Sequence, residues 1–372
     1  MLVEMNSTVN SQRPRVVILI GGVSGEHSIS CLTAAGVLRN IDQERFDVVV
    51  VGITRTGDWV HLPADPAPLD GGKAEVPAHA PAVMLGRRGD VTHLLGIDGT
   101  DLGPVDVVFP LLHGPFGEDG TVQGLCEMLG VRYVGSGVFA SAAGMDKYRT
   151  KVELAAAGLE VGTYQAVHAD QWLADRDAVL ERCQQMNLPL FVKPARAGSS
   201  LGISKVTAWE NLSAAIEEAL QHDPRMIIEQ GVQAREIEVA VLQGRDGQPP
   251  RVAPVGEVVM NLPPGAFYDW ETKYFAHDDA VTMACPADLP ADHAQAIAAA
   301  AAQAFTVLGC EGLARVDFFY DGSSFLINEI NTMPGMTPYS MYPFMWGKAG
   351  LSYRELVTEL IEVALARPVG LR

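Results

Sequence analysis

Short, unbroken apolar runs that end in glycine constrain the fold of this chain more than any other feature. The first run, residues 16–20, leads directly into Gly21 and Gly22, and residues 47–53 form a second run of this kind. Such runs are typical of strands buried on both faces of a parallel sheet, because a half-exposed strand would alternate apolar and polar side chains. A helical segment at 28–38 lies between them. The pattern predicts an N-terminal α/β domain whose ligand sites lie beyond the carboxyl ends of the strands.

Further along the chain, the α/β pattern continues to about residue 157 and is then followed by short strands separated by turns. The segment 62–103 is rich in Pro, Gly and Ala and is expected to be a surface insertion. A helix at about 140–157 is closed by Gly158, which suits a left-handed C-cap. Beyond it, short strands separated by turns predict an α+β region with antiparallel sheets. The expected elements are strands at 105–110, 131–134, 190–194, 203–206, 226–229, 237–242 and 252–259, helices at 209–221, 291–308 and 352–366, and a hairpin of 312–320 with 325–331.

Length, charge and cysteine content narrow the class of protein. A chain of 372 residues exceeds what one hydrophobic core usually serves, so two or three domains are expected. The formal net charge of -18 disfavours nucleic acid and anionic membranes as main partners, because like charges repel. Five scattered cysteines without Cys-x-x-Cys spacing argue against a disulfide framework or a zinc site. Residues 1–13 are polar and no apolar stretch could span a bilayer, so a cytoplasmic protein with a loose tail is expected.

The strongest chemical signal lies in the last predicted hairpin. Asp317 stands near the end of one strand, and Glu329 and Asn331 stand two apart on the next, where the pleat points both to one face. Two carboxylates and an amide oxygen that converge across a hairpin suit Mg²⁺, which prefers oxygen ligands and leaves room for substrate phosphates. An ordinary solvated strand face is the alternative. The apolar flanks argue for a core-bound sheet instead: Phe318, Phe319, Leu326, Ile327 and Ile330.

Two glycine-containing loops could bind anions. Gly335, in the Pro334-Gly335 turn that follows Asn331, lets the backbone approach a ligand, and its N–H could contribute to an oxyanion hole. Taken alone, a plain turn is the commoner interpretation of that sequence. Lys193 precedes the Gly/Ser loop 197–202, which could offer N–H groups and hydroxyls to phosphates, although a polar hairpin is the alternative. The loop is not a Walker A motif.

Two further polar residues lie in predicted loops of the first domain. Glu26 follows the glycines of the first loop and could pair with a substrate ammonium, although it could equally complement a helix dipole. His113 begins a glycine-dense run that ends at Gly120, which favours a ligand-facing loop over a core histidine.

Residues 135–140 offer an alternative from another enzyme class. Gly135-Ser136-Gly137-Val138-Phe139-Ala140 matches the loose dinucleotide fingerprint after a strand and before a helix. Against this interpretation, the strand is not the first of its unit, and no clear strand-end acid follows roughly 20 residues later. An oxidoreductase therefore stays the second hypothesis.

Taken together, these segments resemble the D-alanine–D-alanine ligases, members of the ATP-grasp superfamily. The matching residues follow the order of the family's motifs from residue 16 to the final helix. They are Gly21-Gly22-x-Ser24-x-Glu26, His113-Gly114-x-x-Gly117-Glu118-Asp119-Gly120, Met145-Asp146-Lys147, Lys193-Pro194 with Gly198-Ser199-Ser200, Glu229, Glu236, Tyr268-Asp269, Lys273-Tyr274, Arg315-x-Asp317, Asn328-Glu329-Ile330-Asn331-Thr332-x-Pro334-Gly335-Met336-Thr337 and Ser340. Leu201 stands where valine is usual, which is a conservative departure.

The resemblance implies three domains after a tail at 1–13. Residues 14–137 would be an α/β domain carrying part of the first amino-acid site, 138–228 a small domain that closes over ATP, and 229–372 the domain of the metals and reaction centre. The carboxylate of one D-alanine would attack the γ-phosphate of ATP to give an acyl phosphate. The amine of a second D-alanine would then displace phosphate, and the dipeptide would enter peptidoglycan precursors.

The resemblance also assigns roles to single residues. Residues expected to bind ATP are Lys147, Lys193, Ser200 and Lys273, with Glu229 and Glu236 at the adenine and ribose. Two Mg²⁺ or Mn²⁺ ions would be held by Asp317, Glu329 and Asn331. The amino acids would be bound by Glu26, His113 and Ser340, and the tetrahedral oxyanion by Arg315 and the Gly335 N–H. Residues 268–274 would form a lid, tied to Glu26 by Ser199 and Tyr274.

Alternatives within and near the family stay open. An inactive relative would be expected to lack a metal ligand or Arg315, and none is missing. A ligase making D-alanyl-D-lactate or D-alanyl-D-serine is the alternative within the family, but the resemblance places a tyrosine at 274 in enzymes that make the dipeptide. Related enzymes are usually homodimers, so a homodimer acting on small molecules is expected.

Overall fold

The computed structural model describes residues 13–71, 73–198, 202–260, 281–337 and 339–370, with the backbone alone at 260 and 281. Six residues of the predicted site lie outside these ranges: Ser199, Ser200, Tyr268, Asp269, Lys273 and Tyr274. Their predicted roles therefore stay predictions. Within the described ranges, no helix is both long enough and apolar enough to cross a membrane.

The N-terminal region alternates strands and helices as the apolar runs predict. Its elements are Arg15–Gly21 (β1), His27–Asn40 (α1), Asp47–Ile53 (β2), Trp59–Leu62 (β3), Val83–Arg88 (β4), Val91–Gly96 (β5), Asp101–Pro104 (β6), Val107–Pro110 (β7), Thr121–Leu129 (α2), Arg132–Tyr133 (β8) and Val138–Met145 (α3). The main sheet has the strand order β3-β2-β1-β7-β8 and is parallel except at β3. The predicted α/β domain is thus confirmed.

The centre of this sheet explains the glycines after β1. The apolar residues of β1 are fully buried, with β2 on one side and β7 on the other. Gly21 has a φ of 83°, and a Cβ there would lie 2.4 Å from the Ile53 carbonyl oxygen. Glycine is therefore required where the chain turns sharply between two parallel strands. The turn places the next residues at the carboxyl edge of the sheet.

The 62–103 segment is more regular than a surface insertion. It contains the antiparallel meander β4-β5-β6, in which Val83, Leu85 and Leu94 pack into the same core cluster as β1. The alternation of these apolar residues is short and flanked by proline and glycine, so its strand signal is weak in the sequence.

The remaining chain forms two antiparallel sheets with helices around them. The elements are Lys147–Ala156 (α4), Tyr164–His168 (β9), Ala169–Ala174 (α5), Arg176–Cys183 (α6), Leu190–Pro194 (β10), Ser204–Val206 (β11), Leu212–Ala219 (α7), Arg225–Gln230 (β12), Arg235–Leu242 (β13), Arg251–Val252 (β14), Gly256–Met260 (β15), Val281–Ala284 (β16), Ala291–Val307 (α8), Leu313–Tyr320 (β17), Phe325–Asn331 (β18), Met341–Lys348 (α9) and Tyr353–Ala366 (α10). One sheet has the order β11-β10-β12-β9, and the other β16-β15-β13-β17-β18 with β14 beside β13. The predicted α+β region is confirmed.

Two predicted elements are divided in the structure. The helix expected at 140–157 is broken at Asp146, whose extended backbone ends α3 while its carboxylate caps α4 by accepting from the N–H groups of Tyr148 and Arg149. The strand expected at 252–259 is two strands, β14 and β15. The domain limits near residues 137 and 228 stay a prediction.

Candidate active site

One cavity of about 400 Å³ brings together most of the predicted site. Its walls come from the loops of the first sheet, from the four-stranded sheet and from the six-stranded sheet. The predicted residues that line it are Glu26, His113, Lys147, Lys193, Glu229, Glu236, Arg315, Asp317, Glu329, Asn331 and Gly335. Residues as distant in sequence as Glu26 and Gly335 thus share one site.

A row of carboxylates crosses the six-stranded sheet at one edge of the cavity. Glu238 on β13 lies directly opposite Asp317 on β17, and Asp317 lies opposite Glu329 on β18. Carboxylates on neighbouring strands repel one another unless a cation compensates them. Arg315 supplies that charge: its Nε lies 2.7 Å from Asp317 Oδ1 and 3.0 Å from Glu238 Oε2. Burial opposes the charged guanidinium, but these two carboxylates outweigh it and raise the pKa of Arg315.

The donor set of this edge fits a divalent cation. Asp317, Glu329 and Asn331 offer oxygen atoms of the kind that Mg²⁺ prefers. Asn331 Nδ2 donates to Asp317 Oδ2 over 2.9 Å, so the amide and that carboxylate are adjacent. Within the described ranges, no group of three His, Cys, Asp or Glu side chains is arranged to hold a metal, and the third ligand of the predicted set is an amide. The guanidinium now against Asp317 shows that this position favours positive charge.

The net charge of the cavity lining also favours binding of a divalent cation. Among the described lining residues are seven carboxylates and four cations. A triphosphate is strongly anionic, so its entry into such a cavity requires added positive charge close to the carboxylates. Divalent cations between the acidic row and the phosphates would supply it.

A second charged group, centred on Glu229, is formed by residues of the four-stranded sheet and of α4. Lys193 Nζ lies 2.6 Å from one Glu229 oxygen and Lys151 Nζ lies 3.1 Å from the other. Burial alone would raise the pKa of Glu229, but the two lysines lower it to about 2. Burial would lower the pKa of Lys193, but Glu229 and neighbouring carboxylates raise it. Lys193, predicted to bind phosphate, is therefore held by Glu229 in this structure.

Lys147 stands beside this group at the first position of α4. Its Nζ donates to the carbonyl oxygen of Ala197, the first residue of the Gly/Ser loop, over 2.8 Å. Burial lowers the pKa of Lys147, and Glu329 partly offsets this effect. The backbone N–H of Lys147 also donates to the Ala195 carbonyl oxygen. The start of α4 and the segment after β10 are thus fixed to one another.

Glu26 lies where two loops meet at the carboxyl end of β1. A Cβ on Gly114 would come within 2.7 Å of Glu26 Oε2, and a Cβ on Gly198 within 2.9 Å. Ser24 Oγ accepts from the Glu26 N–H and donates to the His113 carbonyl oxygen, which joins the first loop to the loop after β7. The carboxylate therefore faces the cavity between two glycine backbones, as binding of a substrate ammonium requires.

The remaining predicted amino-acid ligands lie close by. The buried His113 ring places Nε2 3.0 Å from Thr33 Oγ1 of α1. Ser340 does not appear among the described lining residues, yet a Cβ on Gly335 would lie 2.9 Å from Ser340 Oγ. The Thr337 N–H donates to the same hydroxyl oxygen over 3.1 Å. Ser340 thus stands just behind the Gly335 turn.

Several residues of the site were missed by the sequence analysis. Glu238 stands two residues after Glu236 on one strand, so the alternation used for Glu329 and Asn331 applies to it equally. Glu118, which belongs to the 113–120 motif but was given no role there, lines the cavity and accepts from the Gly114 N–H over 2.5 Å. Lys151 gave no signal, because its partner Glu229 is distant in sequence.

The dinucleotide fingerprint has a structural explanation. A Cβ on Gly135 would lie 2.8 Å from Met333 Cε, and a Cβ on Gly312 would lie 2.9 Å from the Gly135 nitrogen. Arg367 Nη1 donates to the Gly135 carbonyl oxygen over 2.7 Å. These glycines therefore allow close packing between the first sheet and the C-terminal region, which accounts for the motif without a dinucleotide.

Comparison with known proteins gives a consistent result. Two family models match, the D-ala D-ala ligase N-terminus over residues 15–136 and the D-ala D-ala ligase C-terminus over residues 154–362. The chain is 51% identical to the D-alanine–D-alanine ligase of Arthrobacter sp. strain FB24 over 97% of this chain and 96% of that protein. It is 50% identical to the D-alanine–D-alanine ligase of Kineococcus radiotolerans, over 97% of this chain and 99% of that protein.

Solved structures agree with the sequence relatives. The D-alanine–D-alanine ligase from Coxiella burnetii aligns with a TM-score of 0.82 and 31% identity, covering 96% of this chain and 95% of that one. The VanG D-Ala:D-Ser ligase from Enterococcus faecalis aligns with a TM-score of 0.82 and 34% identity. The alignment covers 95% of this chain and 100% of that one. The oxidoreductase hypothesis is therefore wrong. By its motifs, its fold and these matches, the chain belongs to the D-alanine–D-alanine ligase family of ATP-grasp enzymes, whose members use ATP and a divalent metal ion.

Proposed function

We propose that this chain joins two D-alanine molecules into D-alanyl-D-alanine for peptidoglycan precursor synthesis, with ATP as the energy source. The observation that carries the proposal is the presence, in one cavity, of the acidic row with Arg315 and the lysine group around Glu229. One wall suits cation-bound phosphates and a developing oxyanion, and the other suits the base and phosphates of a nucleotide. Glu26 and His113 line the same cavity from loops that follow strands of the first sheet.

Each described side chain has a role in this reaction. Glu26 pairs with the ammonium of the first D-alanine, and His113 lies near its carboxylate. Lys147 and Lys193 neutralise ATP phosphates, and Glu229 and Glu236 bind the adenine and ribose. Two Mg²⁺ or Mn²⁺ ions held by Asp317, Glu329 and Asn331 would neutralise charge during phosphoryl transfer. Arg315 and the Gly335 N–H stabilise the oxyanion formed when the second amine attacks.

The first test is phosphate release from ATP. The proposal predicts release with D-alanine, near-background release without an amino acid, and little release with L-alanine. Dipeptide should form in equal amount to phosphate. Release that is independent of D-alanine would contradict the proposal.

The acceptor needs a separate test, because one structural relative at 34% identity is a D-Ala:D-Ser ligase. We expect D-alanine to be preferred over D-serine and D-lactate at neutral and higher pH, as the tyrosine at 274 suggests. Competition between the acceptors across pH measures the preference. Dominant D-alanyl-D-lactate at pH 8 would exclude the dipeptide as the main product.

Two properties follow from the family resemblance. We propose a homodimer in the cytoplasm, where ATP is available. Light scattering of the purified protein tests the first property, and a mass equal to one 39.8 kDa chain would contradict it.

A further inference from the structure

Lys151 is a buried cation that the reaction scheme does not use. Only 2% of its surface is exposed, and it projects from the first turns of α4, behind the cavity wall. Its Nζ lies 3.1 Å from Glu229 Oε1 on β12 and donates to the Asn328 carbonyl oxygen on β18 over 3.3 Å. Lys151 therefore contacts both sheets that enclose the cavity.

The packing of α4 holds Lys151 between the two sheets. The helix packs against both β12 and β18. Just after α4, the Glu160 carbonyl oxygen accepts from the Ile327 N–H over 2.9 Å, which fixes this segment to β18. Lys151 extends the connection to the end of β12, where the carboxylate of Glu229 faces the cavity.

We propose that Lys151 is a positioning residue for nucleotide recognition, holding Glu229 ionised and oriented towards the base. This inference rests on the proposed adenine-binding role of Glu229. In the present structure Glu229 has two lysine partners, of which Lys193 lines the cavity and can turn to the phosphates of ATP. Once Lys193 turns, a buried carboxylate without another cation would become protonated or change rotamer. Lys151, which does not face the ligand, prevents this.

The test is the choice between ATP and inosine triphosphate in Lys151→Met. Inosine carries a carbonyl oxygen where adenine carries the amino group that an ionised Glu229 would accept from. Methionine keeps the length of the side chain and removes its charge. We expect the KM for ATP to rise about tenfold and the ATP-to-inosine preference in kcat/KM to fall about tenfold, the loss of one hydrogen bond to a charged group. The KM for D-alanine should not change.

Four further variants serve as controls for this result. Lys151→Arg keeps the charge and should restore part of the preference, and Lys151→Gln serves the same comparison if the methionine variant does not fold. Arg367→Met removes another buried cation, one that stacks 4.2 Å over the Tyr133 ring and does not belong to the described cavity lining. It should lower stability and leave the ATP-to-inosine preference unchanged. Glu229→Gln should lose the preference as Lys151→Met does.

The outcomes separate this inference from the proposed function. A folded Lys151→Met enzyme that keeps the wild-type preference for ATP overturns the inference, whatever Glu229→Gln does. If the wild-type protein does not ligate D-alanine, the proposed function fails. Binding of non-hydrolysable ATP and inosine triphosphate analogues, measured by calorimetry, would then show the same loss of preference or contradict it.

Discussion

At the level of single residues, the site contains more carboxylates than cations, so its charged side chains share partners. Arg315 contacts both Asp317 and Glu238, and Lys193 and Lys151 share Glu229. Removal of one partner from such a group leaves a buried charge uncompensated, which costs more than the pair contributes. Substitutions here should therefore have large effects on activity, on stability or on both.

Glu329→Gln tests the metal ligands. The change keeps the size of the side chain and removes a negative charge opposite Asp317. We expect turnover at saturating Mg²⁺ to fall by about a hundredfold or more, since cation binding stabilises the transferring phosphoryl group. The thermal unfolding midpoint should change little, and Glu210→Gln, at an exposed position, is the matched control. Near-normal turnover would exclude Glu329 as a ligand.

Glu229 should make stability depend on pH. Its pKa in the folded protein, about 2, lies below the ordinary value of 4.5, so its ionised form stabilises the fold above pH 4.5. That contribution, on the order of 3 kcal/mol, is lost as the pH falls towards 2. The difference in unfolding free energy between wild type and Glu229→Gln should therefore shrink between pH 5 and pH 3 in denaturant titrations. A constant difference across that range would contradict the ion group.

Single residues also show what sequence can and cannot predict. Asp317, Glu329 and Asn331 were predicted because the pleat of one hairpin fixes their common face. The partners of Glu229 and the enclosure of Glu26 by Gly114 and Gly198 were not, because those contacts join loops and strands that are distant in sequence. Local periodicity carries no information about such pairs.

At the scale of elements, the division of one predicted helix into α3 and α4 matters for function. Asp146 ends the first helix and caps the second, and Arg225 Nη1 lies 2.8 Å from its carboxylate. The next residue, Lys147, thereby starts a helix, and its side chain donates to the Ala197 carbonyl oxygen. Helix-forming residues on both sides of Asp146 hid this break, and the weak alternation of the meander β4-β5-β6 hid those strands.

Asp146→Ala should affect both stability and nucleotide binding. Loss of the cap should lower stability by about 1 kcal/mol, and loss of the contact with Arg225 should add to this. The KM for ATP should rise several-fold because Lys147 is displaced. Ser352→Ala removes the cap of α10, which is also a side-chain acceptor but lies outside the cavity lining. It should lower stability to a similar extent with the KM for ATP unchanged, and equal KM effects in both variants would contradict the assigned role.

For the whole molecule, the fold class could be predicted from the sequence, but the packing of the sheets against one another could not. Continuous apolar runs predicted the parallel sheet, and short strands separated by turns predicted the antiparallel sheets. How these sheets meet is determined by packing at a few points. One is Arg367, which donates to the Tyr133 and Gly135 carbonyl oxygens and pairs with Glu311. Such long-range packing gives the cavity three walls.

The central claim is that ATP activates the carboxylate of one D-alanine as an acyl phosphate. The most direct measurement is the fate of ¹⁸O in the carboxylate of D-alanine during turnover with unlabelled ATP. In-line attack of that carboxylate on the γ-phosphate, followed by displacement by the second amine, transfers one carboxylate oxygen to phosphate. If the acyl phosphate forms, the inorganic phosphate should carry one ¹⁸O for each dipeptide formed, and ADP should be the nucleotide product. Unlabelled phosphate, or formation of AMP and pyrophosphate, would contradict it.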